Sequence, residues 1–237
     1  MNLLLIIPAH NEADNLITLI PHIIETCPQY DYVIINDGST DNTETMCKER
    51  GYNYITLPVN LGIGGAVQTG YRYACELGAD IAVQVDGDGQ HDIGYLDEVV
   101  KPILDDQADI VIGSRFIETV KTSGNFKSTR MRRAGIHWLS GIIKFLTGKR
   151  IYDVTSGYRA ANKRYISYFA ENYSVDYPEP EAIVAAVENG ARIEEVPVIM
   201  HERTEGKSSI GLGSSIYYMI KVTLALFVSR LSFGFRR

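Results

Sequence analysis

Two carboxylates one residue apart, Asp86 and Asp88 in the run Val85-Asp86-Gly87-Asp88-Gly89-Gln90-His91, are the side chains of this sequence best placed to do chemistry. They follow the apolar segment Ile81-Ala82-Val83-Gln84-Val85, which reads as a strand, so both are thrown off its tip into a glycine-loosened turn. Carboxylates held that close repel unless a cation lies between them. Oxygen ligands from Asp86, Asp88 and Gln90 suit Mg²⁺ or Mn²⁺, which keeps several waters and completes its shell with substrate phosphates. Such a site points to nucleoside diphosphate chemistry. The plain alternative is a solvated Asp-Gly turn, which these dipeptides favour unaided.

The elements that must position this turn are legible in the hydrophobic pattern. Strand-like runs at 3–8, 31–36, 52–57, 80–85 and 109–114 alternate with helical patterns at 12–26, 40–50, 65–77 and 95–104. Alternation implies crossover units, hence an α/β fold with a mainly parallel central sheet flanked by helices. Ligands gather at the carboxyl ends of such strands. Polar clusters stand there: Ala9-His10-Asn11-Glu12, Asn36-Asp37-Gly38-Ser39-Thr40-Asp41, Asn60 to Gly65, Asp86 to Gln90, and Gly113-Ser114-Arg115. Five polar strand tips in succession read as one site assembled along a sheet edge.

At 237 residues and 45% apolar composition the chain can bury a substantial core. Cys27, Cys47 and Cys75 have neither paired nor metal-like spacing, and residues 1–8 lack a basic flank and a cleavage site. A reduced, cytoplasmic protein without a signal peptide is expected. The net charge of -6 hides an asymmetry: residues 1–120 carry 5 Lys/Arg against 19 Asp/Glu, and the remainder 18 against 10. The basic half suits phosphates or an anionic membrane surface. A pI near 5.4 argues against a nucleic-acid partner.

The second half is less regular. Residues 121–127 read as a mobile loop, 130–147 as a basic amphipathic helix with Ile136, Leu139, Ile142, Ile143 and Leu146 inward, and 194–198 as a further strand. Residues 216–235 are apolar, but Lys221 and Arg230 leave too short a clean run to cross about 30 Å of hydrocarbon. With Tyr217, Tyr218, Phe227, Phe233 and Phe235 ahead of Arg236 and Arg237, the segment suits a helix lying at a membrane interface or docking a membrane partner. A core helix or an oligomer contact is the alternative. The expected organisation is a domain over 1–209 followed by a helical segment over 210–237.

Two phosphate motifs fail on inspection. Gly62-Ile63-Gly64-Gly65-Ala66-Val67 has Val67 where a dinucleotide fingerprint needs Gly or Ala, and Gly206-Lys207-Ser208 has His201 where a P-loop needs its upstream Gly. The first run instead lets a helix start pack closely on the sheet.

The ordered set Pro8-Ala9-His10-Asn11-Glu12, Asn36 to Asp41, Asn60 to Ala66, Asp86 to His91, Gly113-Ser114-Arg115-Phe116, Asp153-Val154-Thr155-Ser156-Gly157-Tyr158-Arg159 and Glu195-Val196-Pro197 resembles the motifs of family 2 glycosyltransferases, in particular the dolichyl-phosphate mannose synthase-like, polyprenyl-phosphate branch. The resemblance spans roughly residues 3–209. It implies a GT-A fold, a nucleotide-sugar donor and a divalent metal. By the same resemblance, Pro8, Ala9, Glu12, Ile35 and Asp37 hold the base and ribose together with Asp86 and the Gly87 backbone. Asp88 and Gln90 join Asp86 around the metal, Arg115 and Arg203 meet the phosphates, and Arg130 or Arg133 lies near an acceptor phosphate. One departure concerns the distal motif, where Ser208-Ser209 stands in place of Ser-Lys. Lys207 either supplies the diphosphate contact from a shifted position or the contact is missing.

The chemistry expected is electrostatic. Departure of a nucleoside diphosphate leaves charge on its β-phosphate oxygen, which a metal, Arg203 and Lys207 would stabilise. A lipid monophosphate acceptor, with a second pKa around 6, needs no general base. Were the acceptor a hydroxyl, Asp153 and Glu181 are the candidate bases. The leading expectation is inverting transfer of a hexose, from UDP-glucose or UDP-N-acetylglucosamine, to undecaprenyl phosphate by a peripheral protein on the cytoplasmic membrane face. The partner there is the membrane surface or a small membrane protein, with homo-oligomerisation possible. The alternatives are a hydroxyl acceptor or a non-catalytic nucleotide-sugar-binding subunit.

Overall fold

The computed structural model describes residues 1–117, 130–201 and 212–234. Its first half alternates as the pattern predicts: β1 (Leu3–Ala9), α1 (Ala13–Thr26), β2 (Asp31–Asn36), α2 (Thr43–Glu49), β3 (Tyr54–Thr56), α3 (Gly62–Glu76), β4 (Ile81–Gln84), α4 (Leu96–Leu104) and β5 (Ile110–Ser114). After the acidic turn a short 3₁₀ segment, Ile93–Tyr95, leads into α4. There follow α5 (Arg130–Thr147), β6 (Arg159–Asn162), α6 (Lys163–Asn172), α7 (Pro178–Glu188), β7 (Ile193–Pro197) and α8 (Leu212–Gly234).

Seven strands form one sheet in the order β3-β2-β1-β4-β6-β5-β7, parallel except for β6, which pairs antiparallel with both β4 and β5. All seven residues of β1 are buried, as a strand covered on both faces requires. Its side chains alternate between two cores. Leu4 and Ile6 pack with α3, α5, α6, α7 and α8 through residues such as Tyr71, Ile143, Phe169, Ile183 and Leu226. Leu3, Leu5 and Ile7 pack with α1, α2 and α4 through Leu16, Ile20, Cys47, Val99 and Val100. The cysteines are free, and burial pushes the Cys47 thiol up to about 11, which leaves it inert.

The strand order reverses between β1 and β4. That is the switch point at which doubly wound sheets open a crevice beyond the carboxyl ends of their strands. The acidic turn follows β4 and so stands at that crevice.

At the opposite end, Asp109 ties β5 to β7. The Arg192 guanidinium donates to both its oxygens, at 3.0 and 3.2 Å, and with further bonds from the Arg192 backbone N–H and Asn162 it holds the carboxyl below the usual range. A folded value below the unfolded one stabilises the protein above the ordinary carboxylate pKa of about 3.9, and this is lost as pH falls through the folded value. Asp109→Asn is therefore expected to lower Tm by roughly 2–4 °C at neutral pH, with the gap closing between about pH 5 and pH 2 in thermal melts.

Candidate active site

The tips of β1, β2 and β4 are laced together by backbone bonds. Asp37 N–H donates to the Ala9 carbonyl at 2.8 Å and Gly87 N–H to the Pro8 carbonyl at 3.2 Å. Asn11, held at φ 57, accepts from the Thr40 and Asp41 N–H groups and donates its own N–H to Ser39 Oγ. Asp37 is buried, and its Oδ1 accepts the Leu61 N–H at 2.7 Å, which brings the loop after β3 to the same edge. Glu12 is half-buried; its N–H is bonded to Thr43 Oγ1 and its carboxylate to Asn15 Nδ2. Pro8, Ala9, Glu12, Asp37, Asp86 and Gly87 thus stand along one edge. Ile35 does not join them through its side chain. It is fully buried in the core that α3 covers, because residue alternation on β2 turns it away from the strand tip.

Asp86 is held from three sides. Gln84 Nε2 donates to its Oδ1 at 3.0 Å, the buried His91 ring accepts its backbone N–H at 3.0 Å, and His91 Nε2 lies 3.5 Å from Oδ2. Since Nδ1 accepts, the neutral ring carries its proton on Nε2, facing the carboxylate. His91 also stacks on Tyr158, with centroids 4.9 Å apart. It braces the turn. The third side is Gly157: a Cβ there would lie 2.7 and 2.8 Å from the two Asp86 oxygens and 2.9 Å from Gln84 Nε2, so only glycine leaves the carboxylate its place. Gln84 is completely buried, and its Oε1 has no hydrogen-bond partner among the described residues. Leaving such an oxygen unpaired costs about 1–3 kcal/mol, a cost borne beside the acidic turn.

Asp88 is half-buried, and its Oδ1 accepts the Gln90 N–H at 3.0 Å. Gln90 is tied in turn to the chain leaving β7: His201 N–H donates to the Gln90 carbonyl at 2.9 Å, and Gln90 Nε2 to the His201 carbonyl at 3.2 Å. Asp86, Asp88 and Gln90 therefore share one short turn. Among the described residues no three His, Cys, Asp or Glu side chains form a metal-holding group. A hard cation at this turn would have two carboxylates and must take its other ligands from water and phosphate, which is how Mg²⁺ and Mn²⁺ are commonly held.

Arg115 stands elsewhere than at an open phosphate site. Its guanidinium donates to both oxygens of the fully buried Asp153, at 2.6 and 2.7 Å, and to Thr155 Oγ1, while its backbone N–H meets Asp153 as well. The pair clamps the 153–157 loop to the end of β5. Glu195 extends the clamp by accepting the Tyr152 and Asp153 N–H groups, and burial raises its carboxyl above the ordinary value. Asp153 is thereby closed as a general base. The Glu181 carboxyl, on the first turn of α7, is also raised by burial. Arg133 is exposed on α5, and for Arg130 only the backbone is described. Arg203, Lys207 and the expected loop at 121–127 lie outside the described residues.

Of the glycines that fail as a dinucleotide fingerprint, Gly64 serves close packing, though against the segment before α7 and not against the sheet as expected, while Gly62 has nothing near it and Gly65 faces Leu61. A Cβ on Gly64 would meet the Ser174 carbonyl oxygen at 2.2 Å and Val175 Cα at 2.6 Å, so α3 starts in backbone contact with the segment before α7.

The chain is 32% identical to the UDP-N-acetylglucosamine–dolichyl-phosphate N-acetylglucosaminyltransferase of Methanococcus voltae, over 91% of this chain and 93% of that protein. It is 28% identical to the undecaprenyl-phosphate mannosyltransferase of Micrococcus luteus, over 94% and 93%. The glucosyl-3-phosphoglycerate synthase of Mycobacterium tuberculosis, solved with Mn²⁺, UDP-glucose and phosphoglyceric acid, superposes with a TM-score of 0.70 at 17% identity, covering 97% of this chain and 79% of that one; it shares the fold, GT-A. Residues 4–169 match the sequence profile of glycosyl transferase family 2, so this chain is a member of that family and a glycosyltransferase.

Proposed function

We propose that the protein transfers a hexose from a nucleoside diphosphate sugar, with UDP-N-acetylglucosamine and UDP-glucose first among donors, to a polyprenyl phosphate at the cytoplasmic face of a membrane. The observation that carries this reading is the Asp86–Asp88 turn, held by Gln84, His91 and Gly157 at the switch point of the sheet. The residues there fit Mg²⁺ or Mn²⁺. When bound, the ion supplies positive charge to the diphosphate leaving group. Around it, Asp37, Glu12 and the Ala9 and Gly87 backbones form the edge on which the nucleoside would lie, and Arg203 and Lys207 are the cations we assign to the departing phosphates.

The acceptor assignment has two supports. Both relatives named above act, by their names, on polyprenyl phosphates. Within this chain, Asp153 is engaged by Arg115 and offers no base for a hydroxyl acceptor. A phosphate acceptor is already an anion near neutral pH and attacks the anomeric carbon directly, inverting it. Arg130 and Arg133, which open α5, are the side chains we assign to that phosphate.

The decisive experiment is a donor screen with purified protein, Mn²⁺ and a polyprenyl phosphate, run beside a saccharide hydroxyl acceptor. An acid-labile lipid-linked product is expected; product on the hydroxyl alone overturns the acceptor, and no turnover of any donor overturns the reading. A finer test is Gly157→Ala. The added methyl displaces the Asp86 carboxylate, so apparent metal affinity should fall roughly 10–100-fold, as for other groups that orient ligands, while excess Mn²⁺ restores kcat. Metal titration of turnover reads this directly.

A further inference from the structure

The first residue of β6 is a cation buried in the core. Arg159 is 4% exposed, and among the described residues its donors meet three carbonyls and no carboxylate. Nε donates to Ser156 at 2.7 Å, Nη2 to Val154 at 3.1 Å and Nη1 to Glu179 at 2.7 Å. A guanidinium taken out of water is costly unless its donors are met in this way. Alternation along β6 sets its direction: Ala160 belongs to the core under α1, α2 and α4 and Ala161 to the opposite one, so Arg159 joins Ala161 and lines a small cavity with Tyr71 and Tyr173. In register it stands across from Gln84 of β4.

The 153–157 loop and the first turn of α7 therefore meet on one side chain. The loop is fixed at its start by the Arg115–Asp153 pair and further along by Arg159, which grips Val154 and Ser156. Next after Ser156 comes Gly157, whose missing Cβ leaves the Asp86 carboxylate its place. Gln84, the strand partner of Arg159, donates to the same carboxylate. Both supports of Asp86 thus stand against this arginine. Charge fits as well: burial raises the Glu179 carboxyl, the Arg159 guanidinium opposes that rise and the Asp86 charge adds to it. Arg159 is the protein's own positive charge behind the two acids.

We infer that Arg159 is a positioning residue for the metal site. By holding Val154, Ser156 and Glu179 on one planar guanidinium it fixes Gly157 against Asp86, and so sets the carboxylate on which affinity for the cation depends. It acts through Asp86 alone. The inference rests on the proposed function for the cation at the acidic turn, and for nothing else. Lysine cannot replace it, because an ammonium keeps the charge but lacks the rigid fork that reaches three carbonyls on two segments. A side chain that merely anchored a loop would change the thermal melt and leave cation binding as it was.

The test is Mn²⁺ binding to the full chain in the presence of UDP, read from the electron paramagnetic resonance of the free ion, without acceptor or turnover. Arg159→Lys should bind Mn²⁺ at least about tenfold more weakly than the wild type, at a temperature where melts show both folded. Gly157→Ala and Arg159→Lys act on one carboxylate, so the double variant should lose little more than the worse single variant. Equal Mn²⁺ affinity in the wild type and folded Arg159→Lys overturns the inference, as does a double variant whose losses multiply. Coupling is reciprocal, so the cation must in turn tighten the clamp. In wild-type protein carrying isotope-labelled arginine, solvent exchange of the Arg159 Nε–H should slow when Mg²⁺ and UDP are added. Unchanged exchange overturns the inference even where Arg159→Lys does not fold. A wild type that binds no Mn²⁺ removes the metal reading as well, whereas one whose Mn²⁺ binding ignores the substitution removes only the role of Arg159.

Discussion

Asp86→Asn is expected to lower metal-dependent sugar transfer by at least about a thousandfold while the protein stays folded. Asparagine has the same shape and keeps an oxygen able to accept the Gln84 amide, so the bond at 3.0 Å and the space beside Gly157 survive. What disappears is the negative charge. The turn then offers a cation only Asp88, and the gain from replacing its waters falls below what is needed to hold it against the diphosphate. Steady-state rates across a Mn²⁺ titration, with a thermal melt as the folding control, measure this. A variant that keeps its rate and its metal dependence would place the metal elsewhere.

Arg203→Ala should cost two to three orders of magnitude in kcat, a loss typical of removing one fixed donor from a developing oxyanion, with a smaller change in KM for the donor. The argument starts from the turn. Gln90 exchanges two hydrogen bonds with His201, and His91 forms a bridge with Met200, so the chain leaving β7 is pinned beside the acidic turn two residues before Arg203. A planar guanidinium can grip two phosphate oxygens at once, which a lysine at the same place would not reproduce. Arg203→Lys should therefore recover only part of the rate. An unaltered kcat in Arg203→Ala would remove this residue from the leaving group's surroundings.

Much of the first half could be read from the chain because its signals are local. A seven-residue apolar run such as β1 and the amphipathic periods of α1, α3 and α4 announce themselves, and the polar residues follow the strands whose tips they occupy. The helix at 130–147 was expected at the bounds α5 takes. The elements from β6 to α7 were not expected, for physical reasons. β6 is Arg-Ala-Ala-Asn, without a β-branched residue, and becomes a strand only because β4 and β5 flank it. α7 opens Pro-Glu-Pro, which reads as a break, yet proline is welcome in a first turn where its missing N–H is not needed. The two carboxylates and Gln90 were visible as types and spacing. The supports of Asp86 were harder to see: Gln84 was read only as part of a strand, and Gly157 is distant in sequence, so that neither signals its contact without the fold. Arg115 shows the converse, since its motif suggests phosphate while the structure engages it with Asp153.

The placement of β6 has a consequence for how the protein comes into being. Residues 1–84 supply four neighbouring strands, β3-β2-β1-β4, which can pair as soon as they emerge from the ribosome. β5 then has no partner until residues 159–162 arrive to bridge it to β4, and Gly157 reaches Asp86 only at that moment. Until roughly two-thirds of the chain has been made, the edges of β4 and β5 that face each other lie open and the crevice beside the acidic turn lacks a wall. Nascent chains halted in this interval would be those most prone to stick to one another.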